Sequence, residues 1–202
     1  QGLVSVQDAG AQLSAPLLDL RAGQTVVDAC AAPGGKSGHI LELADVQLTA
    51  LDHQSERLAR VADNLKRLRL EATLCAADAA QLETWWDGKP VDRVLLEVPC
   101  SASGVVRRHP DVKWLRRRED IDGFARQQRR LLEALWRVVA GGGKLLYVTC
   151  SVFREENQDQ VRQFLSSHAD ARLTARHANS GGELLLPTEE HDGFFHALFE
   201  KA

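Results

Sequence analysis

The sequence predicts an α/β domain: a mostly parallel seven-stranded sheet with helices on both faces and an antiparallel hairpin at its end. Three observations predict it. Short apolar runs such as Val94-Leu95-Leu96 and Leu145-Leu146-Tyr147-Val148 read as strands buried on both faces. They alternate with segments of helical periodicity, which is the pattern of βαβ units. Several of the runs end abruptly at Gly, Pro or Ser, as at Ala32-Pro33-Gly34-Gly35 and Pro99-Cys100-Ser101.

In chain order, apolar residues at helical spacing (Leu13, Leu17, Leu18, Leu20) predict a leading helix over 6–20. A strand follows at 25–29, then a glycine-rich turn and a helix at 36–43. The next pair is a strand at 47–52 and a helix at 55–68, with Leu58, Val61, Ala62 and Leu65 on one face. A strand at 72–76, a short irregular helix near 79–85 and a strand at 92–98 come next. The loop from Cys100 to about Arg118 is long for a connector, and loops of ~18 residues are usually functional or disordered. A long helix over 120–140 is expected to stop at Gly141-Gly142-Gly143. A strand at 144–150 and a helix at 155–167 follow. Two last strands, at 171–176 and 194–200, have a polar loop but no helix between them, so they should pair antiparallel.

Bulk properties narrow the class. The 202 residues fit one domain with an adequate core. With 44% hydrophobic and 26% charged residues, neither disorder nor a fibre is indicated. No apolar stretch reaches the length of a transmembrane helix, and the N-terminus lacks the layout of a signal peptide. Cys30, Cys75, Cys100 and Cys150 form no CxxC pair, so a zinc ribbon is not expected and no metal is called for. Reduced thiols in a cytoplasmic monomer, with no membrane partner, are expected. The net charge of −3 does not advertise nucleic acid. Its distribution is less bland: from Arg107 to Arg118 six bases stand against Asp111 alone, a local +5. The chain contains no methionine, so it is expected to be a piece of a longer protein.

The chemistry gathers at strand ends, where open α/β sheets bind their ligands. The first strand runs into Cys30-Ala31-Ala32-Pro33-Gly34-Gly35-Lys36-Ser37. A phosphate-binding P-loop would need Gly where Cys30 stands, and the dinucleotide fingerprint GxGxxG is not supplied either. S-adenosylmethionine remains. It has no phosphate and wants small residues for close backbone approach, with acids for its ribose and adenine. Asp52 closes the second strand and Asp78 follows the third, where those acids belong. Each alone reads as a loop or cap residue; three successive strand ends together favour the cofactor.

Cys100 and Cys150 stand just past two further strands. Small buried hydrophobes are the alternative reading, since free Cys is often buried. Cys30–Lys36, Pro99-Cys100-Ser101 and Thr149-Cys150-Ser151 resemble the signature motifs of the RNA cytosine-C5 methyltransferases. The run Ser101–Trp114, with Arg107, Arg108, His109, Pro110, Asp111 and Lys113, is similar to members acting on bacterial 16S ribosomal RNA. Leu184–Pro187 and Asp192-Gly193-Phe194-Phe195 fit as well. The resemblance spans nearly the whole chain. It implies a Rossmann-like class I methyltransferase domain over residues 1–202, with an RNA-binding region ahead of it.

Such an enzyme uses two thiols for a physical reason. Cytosine C5 is a poor nucleophile, and a thiolate added at C6 turns the ring into an enamine that can accept a methyl group at C5. The resemblance implies that Cys150 attacks and Cys100 assists release. DNA cytosine methyltransferases attack with their Pro-Cys thiol, so motif logic alone does not choose. An acid three residues before Cys100 is implied to touch cytosine and cofactor. The family usually has Asp there, and this chain has Glu97. The resemblance further implies S-adenosylmethionine on Cys30, Ala31, Ala32, Pro33, Gly34, Gly35, Lys36, Asp52, Asp78 and Glu97. Ribosomal RNA with a flipped cytosine would lie on Arg107, Arg108, His109 and Lys113. Methylation of transfer RNA, or a catalytically weak RNA-binding module, are the rival readings.

Overall fold

A computed structural model describes residues 2–202. Eight strands among them form one sheet: β1 (Thr25–Ala29), β2 (Gln47–Asp52), β3 (Thr73–Ala76), β4 (Val91–Glu97), β5 (Val139–Thr149), β6 (Ala171–Leu173), β7 (Glu183–Leu185) and β8 (Phe194–Lys201). Their order is β3-β2-β1-β4-β5-β8-β6, with β7 also on β8. The first five strands pair in parallel, and β8 pairs antiparallel with β5, β6 and β7. The sheet thus has one strand more than the seven expected. Glu183–Leu185 reads as loop in sequence because three residues carry too little alternation to register.

The central strands β4 and β5 bury apolar residues on both sides, and the two faces are served by alternate residues. Val94, Leu96, Leu145 and Tyr147 face one layer, formed by α6 (Arg118–Trp136) and α7 (Gln158–Ser167). Leu95, Leu146 and Val148 face the other, where α1 (Ala9–Gln12), α2 (Ser14–Leu17) and α3 (Gly35–Leu43) pack. Beside them α4 (Ser55–Leu68) lays Leu58, Val61 and Leu65 against Ala31, Ala32 and Ala50. All these residues are buried, which is why the strands carry no polar alternation.

Several boundaries differ from the expectation; the strand expected over 171–176 stops at Leu173, and a short helix at Ala175–Ala178 stands where a polar loop without a helix was expected. The leading helix is two short ones, α1 and α2, broken at Leu13. A continuous helix would need an N–H at Pro16, which has none. The long helix ends at Trp136, and β5 starts at Val139 and runs through the glycine triplet. The register of β4 against β5 shifts between Val91 and Arg93, so the glycines form a bulge. The helix expected from residue 155 begins at Gln158 after a 3-10 turn at Arg154–Glu156. The loop after Cys100 holds a 3-10 turn at Ser103–Val105 and α5 (Val112–Leu115), with α8 (Ala175–Ala178) the last helix of the chain. No helix among the described residues is long and apolar enough to cross a membrane.

The strand order reverses between β1 and β4. In such sheets the crevice beyond the carboxyl ends at that reversal is the place for ligands. The turn after β1 and the ends of β2, β4 and β5 all open onto it.

Candidate active site

The glycine turn is shaped by close packing. Cys30 takes a left-handed backbone (φ 62°), and Gly34 does likewise (φ 96°). A Cβ on Gly34 would stand 3.0 Å from the backbone of Val61 in α4, so only glycine lets turn and helix meet. Ala31 and Ala32 are buried, and Gly35 opens α3. Pro33 sits at the exposed rim and accepts a hydrogen bond from Asn64 at 2.8 Å through its carbonyl. Burial, with the charges of Asp52, Asp28 and Glu97, pushes the Cys30 thiol up to about 12.

Acids surround this turn. Asp52 is buried and accepts from the backbone N–H groups of Ala32 (3.3 Å) and Gln54 (3.1 Å), tying the end of β2 to the turn. Asp78, past β3, accepts from Arg130 at 2.7 Å and from the Ala80 N–H. Lys36 reaches from α3 across the crevice to Glu97 at the end of β4, Nζ to Oε1 at 2.7 Å. This contact bears on the glutamate that stands where the family has aspartate. The longer side chain is held at its tip by a buried lysine. Asp28 at the floor accepts from Ser37 at 2.6 Å, and sequence reasoning did not single out either residue.

The two cysteines meet. Beyond the last ladder contact, Val98 N–H to Val148 carbonyl at 3.1 Å, the chains leave β4 and β5 and bring Cys100 Sγ within 3.4 Å of Cys150 Sγ. Both thiols are half-buried. The hydrogen bond with Cys150 raises the Cys100 thiol well above its ordinary value, with burial and the Glu156 charge acting the same way. Either thiol can donate in this contact. Cys75 lies on β3 and packs against the core, away from this pair.

Around the thiols three loops are bonded together. Gly104 N–H donates to the Cys150 carbonyl, and Gly193 N–H donates to the Gly104 carbonyl, both at 2.8 Å. A Cβ on Gly104 would lie 2.4 Å from the Gly193 oxygen. Asp192, fully buried, takes Arg108 through Nε at 2.6 Å and Arg107 at 3.4 Å. The Asp192 bond, with smaller help from Asp8 and Cys150, holds the Arg108 cation above its usual range. His109 and Lys113 are exposed on the same loop. Trp114 is 86% exposed, so it is no packing anchor.

The residues that sequence reasoning missed lie behind the thiols. Ser101 and Ser151, each directly after a cysteine, are fully buried along with Glu156 and Asn157. Ser101 and Ser151 both donate to the Glu156 carboxylate, as does Gln128 from α6. The one sequence signal was the repeated Cys-Ser pair.

The chain is similar to known proteins over nearly all of its length. Two curated relatives, each called ribosomal RNA small subunit methyltransferase B, come from Vibrio cholerae and Pseudomonas putida. Each is 48% identical over the whole chain, which covers 47% and 48% of their respective lengths. The chain thus spans about half the length of the curated relatives it matches. Among solved structures, that of NSun6 from Pyrococcus horikoshii with SFG superposes with a TM-score of 0.88 at 28% identity. The match covers 99% of this chain and 53% of that one. Residues 15–200 match the family described as 16S rRNA methyltransferase RsmB/F, and this chain, with its paired cysteines beyond β4 and β5, belongs to that family.

Proposed function

We propose that this domain transfers a methyl group from S-adenosylmethionine to C5 of a cytosine in small-subunit ribosomal RNA, through a covalent adduct between Cys150 and C6. The 3.4 Å approach of Cys100 and Cys150 at the ends of adjacent strands carries the reading. Two half-buried thiols in contact suit one planar base attacked and released at the same place.

The residues at the sheet edge fit the cofactor. Asp52, Asp78 and Glu97 set carboxylates past three strands, matching ribose hydroxyls, an adenine amine and an ammonium group. The left-handed Cys30 and the small Ala31, Ala32, Gly34 and Gly35 let the backbone approach closely. Pro33 and Lys36 complete the turn, with Lys36 orienting Glu97. Bound there, S-adenosylmethionine supplies an electrophilic methyl group.

Cys150 does the work on the base. Its thiolate adds at C6, and the electron pair moved to C5 makes that carbon the nucleophile. After methylation the C5 proton leaves to a base, the electrons of the C5–H bond restore the ring double bond, and the C6–S bond breaks to return the thiolate. Cys100, its Sγ 3.4 Å from that of Cys150, stands beside the departing sulfur and assists this release. Arg107, Arg108, His109 and Lys113 offer phosphate contacts beside the flipped base, the arginines oriented by Asp192. The names of the curated relatives favour ribosomal over transfer RNA.

RNA carrying 5-fluorocytosine tests the roles, because fluorine at C5 cannot leave as a proton and the adduct is trapped. With S-adenosylmethionine present, Cys100→Ala should retain the adduct and Cys150→Ala should lose it. Loss only in Cys100→Ala would reverse the assignment.

A further inference from the structure

We infer that Glu156 is a positioning residue for the thiol pair, a buried carboxylate that holds the loops of Cys100 and Cys150 in register where the β4–β5 ladder has ended. Pro99 cannot donate to a ladder, and past it no strand pairing holds Cys100 opposite Cys150. One carboxylate takes over. Oε1 accepts from the Ser101 N–H at 2.8 Å and from Gln128 Nε2 at 3.0 Å. Oε2 accepts from the Ser101 hydroxyl at 2.6 Å and from the Ser151 hydroxyl.

The carboxylate therefore grips the residue after each cysteine, and its own segment is anchored independently. The Glu156 carbonyl accepts from Tyr147 of β5 at 2.7 Å. Asn157 donates to the Ser151 carbonyl at 2.8 Å and accepts from Thr149 at 2.6 Å. Gln128 also donates to the Pro99 carbonyl at 2.9 Å, so α6 fixes the Cys100 loop from behind. All of Glu156's acceptor bonds come from N–H or O–H groups that point to oxygen. An alanine there would leave the buried Ser101 N–H without an acceptor and would leave Gln128 and the two serine hydroxyls only their bonds to Pro99, to Ser103 and to each other, a costly state relieved by letting the loops part. A glutamine keeps the acceptor at Oε1, and the two hydroxyls can turn to accept from its amide.

The test reads the thiols directly. In the wild-type chain diamide should form a Cys100–Cys150 disulfide; the two thiols give up two protons and two electrons, and diamide becomes its hydrazine. Glu156→Ala should slow this at least tenfold, and Glu156→Gln should lie between the two. Phe164→Leu, a core change on α7, should lower the melting temperature and leave the disulfide rate alone. A folded Glu156→Ala chain that cross-links at the wild-type rate would overturn the inference. If that variant does not fold, Ser151→Ala replaces it, and wild-type rates in both Ser151→Ala and Glu156→Gln would overturn it equally. A second readout rests on the proposed methyl transfer: Glu156→Gln should lower kcat and leave KM for RNA unchanged. Since cross-linking involves neither RNA nor cofactor, failure of the proposed reaction would leave the first result standing.

Discussion

Asp28 and His196 titrate in opposite directions from one cause, burial beside the same crevice. Burial lifts the Asp28 carboxyl to about 7, against the bond from Ser37, which pulls it down. Burial also drives His196 down to about 3, helped by the charge of Lys36. An acid with a raised pKa binds more protons when folded, so its contribution to stability falls as pH climbs from about 4 to about 7. A histidine with a lowered pKa contributes the reverse between about 3 and 6.5. The two slopes oppose each other in the wild-type chain. Asp28→Asn should remove one of them: its stability relative to wild type should rise with pH, by up to about 1.4 kcal/mol per unit. Urea unfolding from pH 4 to pH 8 measures this, and parallel curves would show that Asp28 does not titrate. At this scale legibility followed contiguity. The glycine turn, Asp52 and both cysteines are each marked by neighbours in sequence. Glu156 was not, because its partners Ser101, Gln128 and Ser151 come from three separate segments and meet only in the fold.

Elements were legible where periodicity was strong and blurred where two signals overlapped. α4 has the expected span, since its apolar face repeats cleanly and Arg69 ends it in a left-handed turn. α6 was expected to run four residues too far, because Val138 and Val139 continue its apolar face and belong to the next strand's approach. What stops the helix is packing at Trp136. Its ring meets Phe164 of α7 edge-on, with centroids 5.4 Å apart, and Phe199 of β8 at 6.3 Å. Its indole N–H is bonded to Asp170 at 3.2 Å. Trp136→Ala should cost about 3–5 kcal/mol in denaturant unfolding. A loss under about 1 kcal/mol would mean that α6 and α7 close over the gap. The loop after Cys100 was recognised by its length, yet its order was not. That order comes from Gly104, Ser103 and Arg116, each bonded to a residue of the thiol region.

On the scale of the whole molecule, the sheet gathers both halves of the site at one edge. The reversal between β1 and β4 sets the glycine turn beside Glu97, and the next strand adds Cys150. This much was foreseeable from alternating strands and helices. The position of β8 between β5 and β6 was not, because an antiparallel strand at a sheet end can join either neighbour without a crossover to fix the order. Charge also acts at this scale. The chain carries −3 overall, and two of the six bases between Arg107 and Arg118 share the buried carboxylate of Asp192. Bare single-stranded RNA should therefore bind with Kd of about 1 μM or weaker at ~150 mM salt. The slope of log affinity against log salt should be no steeper than about −4, six cations at ~0.7 each. Nanomolar binding under those conditions would contradict this.

The contact between Gly104 and Gly193 has a consequence for how the gene can drift. Each glycine carbon lies where a side chain would strike main chain: the oxygens of Gly193 and Cys150 at position 104, the α-carbon of Gly104 at position 193. Main chain cannot step aside as a flexible side chain can. Every missense change in either codon adds at least one carbon, so the smallest replacement, alanine, already wedges the thiol loops apart. Two of the least conspicuous letters in the chain are thereby among the least free to vary.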